Sequence, residues 1–150
     1  TIPVFALAPI LTLWLGFGMA PKIAMTVLIV FFPVASAFLD GLGRTPQATL
    51  DLAQVMGASR SRIMWHLRIP AALPQLATGL KLAAVYAPIG AVIGEWVGGA
   101  RGLGALMIHA NGRMKTDLVF AALVVLSLMT VLFAQGVALA VRRIWRRYGV

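Results

Sequence analysis

Apolar residues run along this chain in long blocks separated by short polar stretches. Four blocks have the length and polarity of bilayer spans, roughly residues 2–17, 23–39, 76–97 and 118–141, set against the ~20 apolar residues that a hydrocarbon core requires. The last is the clearest. The first two are short and carry Pro3, Pro9, Gly16 and Pro33, which membrane helices tolerate where neighbouring helices satisfy the freed backbone groups. They are therefore expected in a bundle. The pattern predicts an all-α membrane protein, a single domain of about four transmembrane helices, with a polar, basic segment 44–75 between the second span and the third.

Inside that segment the apolar positions change period. Leu50, Ala53 and Met56, with Ile63, Trp65 and Leu67 further on, are spaced to give two short helices whose apolar sides pack on a partner. Gly57 lies between them, where a sharp turn needs a positive backbone dihedral or a close chain approach. Ser59 is an N-cap candidate for the second helix. Pro70 and Pro74 are expected to stop that helix and restart the chain towards the membrane.

Residues 51–70 read D-L-A-x3-G-x9-L-x-I-P. This resembles the cytoplasmic coupling loop of ABC-importer permeases, usually written E-A-A-x3-G-x9-I-x-L-P. Ala53, Gly57 and Pro70 match outright, and Asp51, Leu52, Leu67 and Ile69 replace residues of like character. The resemblance implies that Asp51, Ala53, Gly57, Ala58, Ser59, Arg60, Leu67 and Pro70 couple the chain to a separate ATP-binding subunit. It also implies a type I importer permease of roughly six spans, of which these residues are the C-terminal portion. The opening at Thr1, with no charged n-region and no small-residue cleavage site, agrees with about two earlier spans. Further implications are a bacterial cytoplasmic (inner) membrane location, a periplasmic or lipoprotein solute-binding protein and a permease homodimer. On this reading ATP and Mg belong to the partner ATPase, and no cofactor is bound by this chain.

Composition supports the membrane reading. Hydrophobic residues make up 61% of the 150 and charged residues 11%, with a mean hydropathy of +0.93, outside the usual range of soluble domains. Alternating four spans places segment 44–75 and the tail 142–150 on one side, and with Lys81 at a span's mouth these hold nine of the thirteen basic residues. The positive-inside rule makes that side cytoplasmic. Lys22, Arg101, Arg113 and Lys115 lie on the other side, so the outer loop is more basic than the rule expects. The net charge of +9 reads as this bias plus attraction of Arg142, Arg143, Arg146 and Arg147 to anionic membrane lipid. Nucleic acid is not indicated, since no aromatic stacking residues interleave with a basic groove. Without cysteine, the chain has no disulfide to offer and is silent on redox compartment.

A second cluster follows the loop. Glu95 lies at the outer end of the third span, and an acid near the hydrocarbon boundary marks either a pathway or a structural ion pair. Pro88, Gly90 and Gly94 suit a kinked helix or a close helix crossing. Gly102 and Gly104 precede a short apolar stretch, and Thr116 with Asp117 is placed to cap the final span. This region resembles the family's outer gate. Within the family, A-P-I-G-A-V-I-G-E-W-V-G with H-A-N-G-R-M-K-T-D-L looks most like permeases for hydroxymethylpyrimidine-type thiamine precursors, with nitrate, sulfonate and taurine permeases as near relatives. An anionic substrate of the latter kind would favour a pathway near Arg101, Arg113 or Lys115. His109 and Asn111 are candidates to hydrogen-bond a polar heteroaromatic ring, and Trp96 or Tyr86 to stack on one. Interfacial capping and belt positions are the structural alternatives. Two histidines without cysteine assemble no metal site, and the seven methionines read as packing filler.

Other classes fare worse. There is no G-x4-G-K-[ST] phosphate cradle, so ATP is not bound by that device, and four scattered acids make poor acid/base machinery. An enzyme is not expected. A secondary transporter would show intramembrane charges or an inverted repeat. A small structural or lipid-binding membrane protein would leave the register of residues 51–70 unexplained.

Overall fold

The computed structural model describes residues 3–148, and every regular element among them is helical. Ile2, where the first predicted span begins, and Gly149 and Val150 of the basic tail lie outside the described residues. A 3-10 turn, Val4–Leu7, leads into α1, Ala8–Leu15, and then α2, Met19–Gly43. Two short helices follow, α3, Gln47–Val55, and α4, Arg60–Ile63. A π-helical turn, Met64–Arg68, joins α4 to α5, Ile69–Gly98, without a break. The chain ends with α6, Leu103–Gly112, and α7, Thr116–Tyr148.

Among the described residues, three helical runs are long and apolar enough to cross a membrane: Met19–Gly43, Arg60–Gly98 and Thr116–Trp145. The 25 residues of α2 give about 37 Å at 1.5 Å per residue, enough for a ~30 Å hydrocarbon core. The first predicted span, 2–17, does not join them, because Val4–Leu15 is shorter. Pro9 occupies the opening turn of α1, where a missing N–H costs no intrahelical bond. Gly16 (φ 76°) and Gly18 (φ 149°) then turn the chain into α2.

The loop–span boundary also differs from expectation. Pro70 and Pro74 do not stop the second loop helix. Ile69 N–H donates to Met64 O, five residues back, and this widened turn relieves the clash that the Pro70 ring would make with the carbonyl four residues before it. Pro74 is carried inside α5. Lys81, read as sitting at the mouth of a span, is twelve residues beyond Ile69. Thr116 opens α7 as its first helical residue rather than standing before it as a cap, and Asp117 sits in the first turn, where a carboxylate complements the helix dipole.

The principal packing is an antiparallel seam between α2 and α5. A Cβ built on Gly90 would lie 2.7 Å from Thr26 Cα, and one on Gly94 2.8 Å from Lys22 Cα. Further along, the Gly79 position meets Ala37 Cβ at 2.9 Å, and the Gly41 position meets Ala72 Cα at 2.9 Å. Partners descend α2 as they ascend α5, so backbone touches backbone along the whole seam. Small residues permit this, and van der Waals contact rather than hydrophobic expulsion drives helix association in lipid.

Burial follows the same logic. The buried apolar residues are mostly alanines, among them Ala72, Ala77, Ala84, Ala105 and Ala110, while Phe31, Phe32, Leu132 and Phe133 are exposed. That is the reverse of a soluble core. Met25 is fully buried and fills space as expected of a methionine, but Met19, Met56, Met114 and Met129 are exposed. The filler reading therefore holds for Met25 and fails for these four.

Candidate coupling element and outer capping site

The segment resembling a coupling loop is a helix, a tight turn and a second helix start. In α3, Leu50 is buried, and Gln47 Nε2 donates to Asp51 Oδ1 at 2.8 Å, one helical turn on. The helix closes with two bonds, Ala58 N–H to Ala53 O and Gly57 N–H to Gln54 O, both 2.9 Å. This pair is a Schellman motif, and it requires the left-handed conformation that Gly57 adopts at φ 78°. Ala53, Gly57 and Ala58 are thus one device. Ser59 then turns the chain back as N-cap: its Oγ accepts from Arg62 N–H at 3.3 Å, and its carbonyl accepts from Ile63 N–H at 3.0 Å. Arg60 opens α4, and Ile63 is buried.

Around this turn the large apolar side chains are bare. Val55 is 86% exposed, Met56 78%, Trp65 66% and Leu52 61%. The apolar sides expected to pack on a partner therefore divide. Leu50 and Ile63 face inward, Ala53 and Leu67 are half-buried, and Met56 and Trp65 face out. Between α3 and α4 lies a cleft of about 310 Å³ lined by Leu50, Gln54, Arg60, Ile63, Met64 and Arg68.

At the far end of α5, Glu95 Oε2 accepts the Gly104 N–H at 2.7 Å. The carboxylate caps the first turn of α6, where it also complements the helix dipole. A Cβ on Gly102, which sits at φ 128°, would overlap that carboxylate, and one on Gly104 would lie 3.0 Å from Oε2. Lys22 Nζ donates to Arg101 O at 3.0 Å, tying the same loop to α2. Glu95 is thus a helix cap, with a backbone amide where the sequence reading expected an ion-pair partner. His109 Nδ1 lies 2.7 Å from Ala105 O; since a carbonyl only accepts, Nδ1 carries the proton.

A family model described as the binding-protein-dependent transport system inner membrane component matches residues 1–147. The chain belongs to this family. A probable ABC transporter permease protein of Haemophilus influenzae is 61% identical over 83% of this chain and 51% of its own length. The formylaminopyrimidine transport permease protein ThiX of Halalkalibacterium halodurans is 42% identical over 88% and 53%. The taurine transport system permease protein TauC of Escherichia coli is 32% identical over 99% and 54%. The chain spans about half the length of these curated relatives.

In this permease-family chain the residues expected in the coupling loop form one continuous element, whereas those expected along a pathway do not converge. Glu95, Gly102 and Gly104 meet at the α6 cap. Trp96 and Asn111 line a separate cavity of about 440 Å³. Tyr86 lies in a third place, a cleft of about 580 Å³ with Ser36 and Asp40. His109 bonds within its own helix. Sequence reasoning missed Lys22, Gln54 and Arg68 as members of these sites. For Lys22 no local signal existed, because its partner is 79 residues away.

Proposed function

We propose that this chain is the transmembrane permease subunit of an ABC importer, carrying a small polar solute into the cytoplasm by alternating access. The observation that carries the reading is the turn at Gly57, fixed at both ends by caps and surrounded by bare Leu52, Val55, Met56 and Trp65. Such a surface is a ready docking knob for a partner groove. That partner is an ATP-binding subunit holding ATP and Mg, and its closure moves α4 and α5 as one helical run. The three long helices alternate across the membrane, which leaves the segment from the end of α2 to the start of α5 and the end of α7 on one side; the basic residues they carry make that side cytoplasmic. Arg142 and Arg143 there attract anionic lipid. A solute-binding protein delivers the solute from outside, and a second permease copy engages the other half of an ATPase dimer.

The substrate is a hydroxymethylpyrimidine-type thiamine precursor. This is supported by the segment 87–98 read with 109–118, and by the higher identity to the formylaminopyrimidine permease than to the taurine permease. Other relatives carry riboflavin or aliphatic sulfonates in their names, and a sulfonate, nitrate or taurine substrate is the second reading. It is favoured by the basic outer residues Arg101, Arg113 and Lys115. Uptake of labelled hydroxymethylpyrimidine and of an alkyl sulfonate, in cells carrying the permease with its ATPase and binding protein, decides between them. Pyrimidine uptake abolished by a Gly57 variant supports both coupling and substrate. Sulfonate uptake retains coupling and discards the pyrimidine.

A further inference from the structure

Two arginines line the cleft between α3 and α4, Arg60 from the helix start and Arg68 from the end of the π turn, with Gln54 beside them. Arg68 Nε is buried without a hydrogen-bond partner among the described residues. A guanidinium N–H withdrawn from water and left without an acceptor is unfavourable, and the exposed Arg60 adds a second positive charge to the lining of the same cleft. The loop's own acid does not supply the acceptor, since Asp51 bonds Gln47 and is not among the residues that line the cleft. Bare Val55 and Met56, next to Gln54 in sequence, and Trp65, next to Met64, mark this part of the chain as one that a protein surface covers.

We propose that the cleft receives the carboxylate of an Asp or Glu side chain of the ATP-binding subunit, held between Arg60 and Arg68. The proposal rests on the reading that this loop docks on such a subunit. It adds the residues and the charge that fix the docked position. A guanidinium fork donates bidentately to a planar carboxylate, and the buried Leu50 and Ile63 form apolar walls of the same cleft.

The test uses the permease co-expressed with its ATP-binding subunit, reconstituted in phosphatidylcholine nanodiscs with and without phosphatidylglycerol. Arg68→Lys places an amine in the cleft, which a zero-length carbodiimide joins to any carboxylate in contact. The expected result is a cross-link from position 68 to an acid of the ATP-binding subunit, read by peptide mass spectrometry. Arg68→Gln, and separately Arg60→Gln, should weaken retention of that subunit by about ten-fold, and Arg68→Glu should be rescued by Arg at the cross-linked acid. Cross-linking only to Asp40 or Asp51, or none at all, overturns the proposal. So does an Arg68→Gln effect that appears only with phosphatidylglycerol, which assigns the cleft to a lipid headgroup. If Gly57→Val and Ala53→Arg lose coupling while Arg68→Gln and Arg68→Glu are silent, docking stands and the carboxylate falls. If all four are silent, the docking reading itself fails.

Discussion

Glu95 and Gly104, nine residues apart, are joined by a 2.7 Å bond from the Gly104 amide to the Glu95 carboxylate, and this bond fixes α6 on the end of α5. Gly102 makes it possible by leaving the carboxylate its space. Gly102→Ala is therefore expected to displace Glu95 and also to strain a φ of 128°. Glu95→Ala removes a charged acceptor, a loss of about 1.5–3 kcal/mol; Glu95→Gln keeps an acceptor and should cost less. Thermal unfolding in detergent checks the order, with Gly102→Ala and Glu95→Ala melting below Glu95→Gln. An unchanged melting temperature in Glu95→Ala removes the capping role.

Glycine substitutions elsewhere should change sign with position. Gly90→Ala and Gly94→Ala force apart backbones already in contact across the α2–α5 seam, and each should destabilise the bundle by about 1–3 kcal/mol, as overpacking does. Gly136, inside α7, has nothing within 4 Å of a Cβ. Gly136→Ala should leave stability unchanged or raise it by up to about 1 kcal/mol through helix propensity. Melting temperatures of the three variants side by side make the comparison.

At the loop turn, space is not the constraint. Nothing lies within 4 Å of a Cβ on Gly57, but its φ of 78° is strained for other residues, at about 1–2 kcal/mol per left-handed residue. Asn should be tolerated best, Ala less and Val least. Ser59→Ala loses the cap bond to Arg62, about 0.5–2 kcal/mol. Both changes loosen the turn and leave the spans alone. Membrane insertion should persist while uptake per expressed protein falls in the order Asn, Ala, Val at position 57; equal uptake across the series argues against a coupling role.

The turn was readable because its determinants are local: Gly57 and Ser59 each act on bonds within five residues. The spans from residue 19 onward were readable for a similar reason, since hydropathy within one stretch decides whether it suits lipid. What escaped notice depends on other parts of the chain. That Glu95 caps α6 requires knowing that the chain folds back at Gly102, and that Lys22 bonds Arg101 O requires the α2–α5 register. The first apolar block forms a helix, Val4–Leu15, that is shorter than the three long runs. Pro70 was misread because the rule that proline ends helices assumes an α-helical turn before it.

That π turn supports the last prediction. Ile69 N–H reaches back five residues to Met64 O, and Pro70, with no N–H to offer, follows immediately. In an α-helical register the proline ring would clash with His66 O, so the wide turn persists because of Pro70. Pro70→Ala restores an N–H that can bond four residues back, and the turn should tighten to α-helix. Removing the extra residue of a π turn rotates α4 by about 100° and shifts it about 1.5 Å relative to α5. Arg60 and Ile63 would then leave the α3 cleft, while the membrane part of α5 would be untouched. The expected outcome is normal insertion with impaired uptake, and a changed distance between spin labels placed at Arg62 and Trp96. An unchanged distance would mean that burial of Ile63 in the α3 cleft, rather than Pro70, holds the turn open.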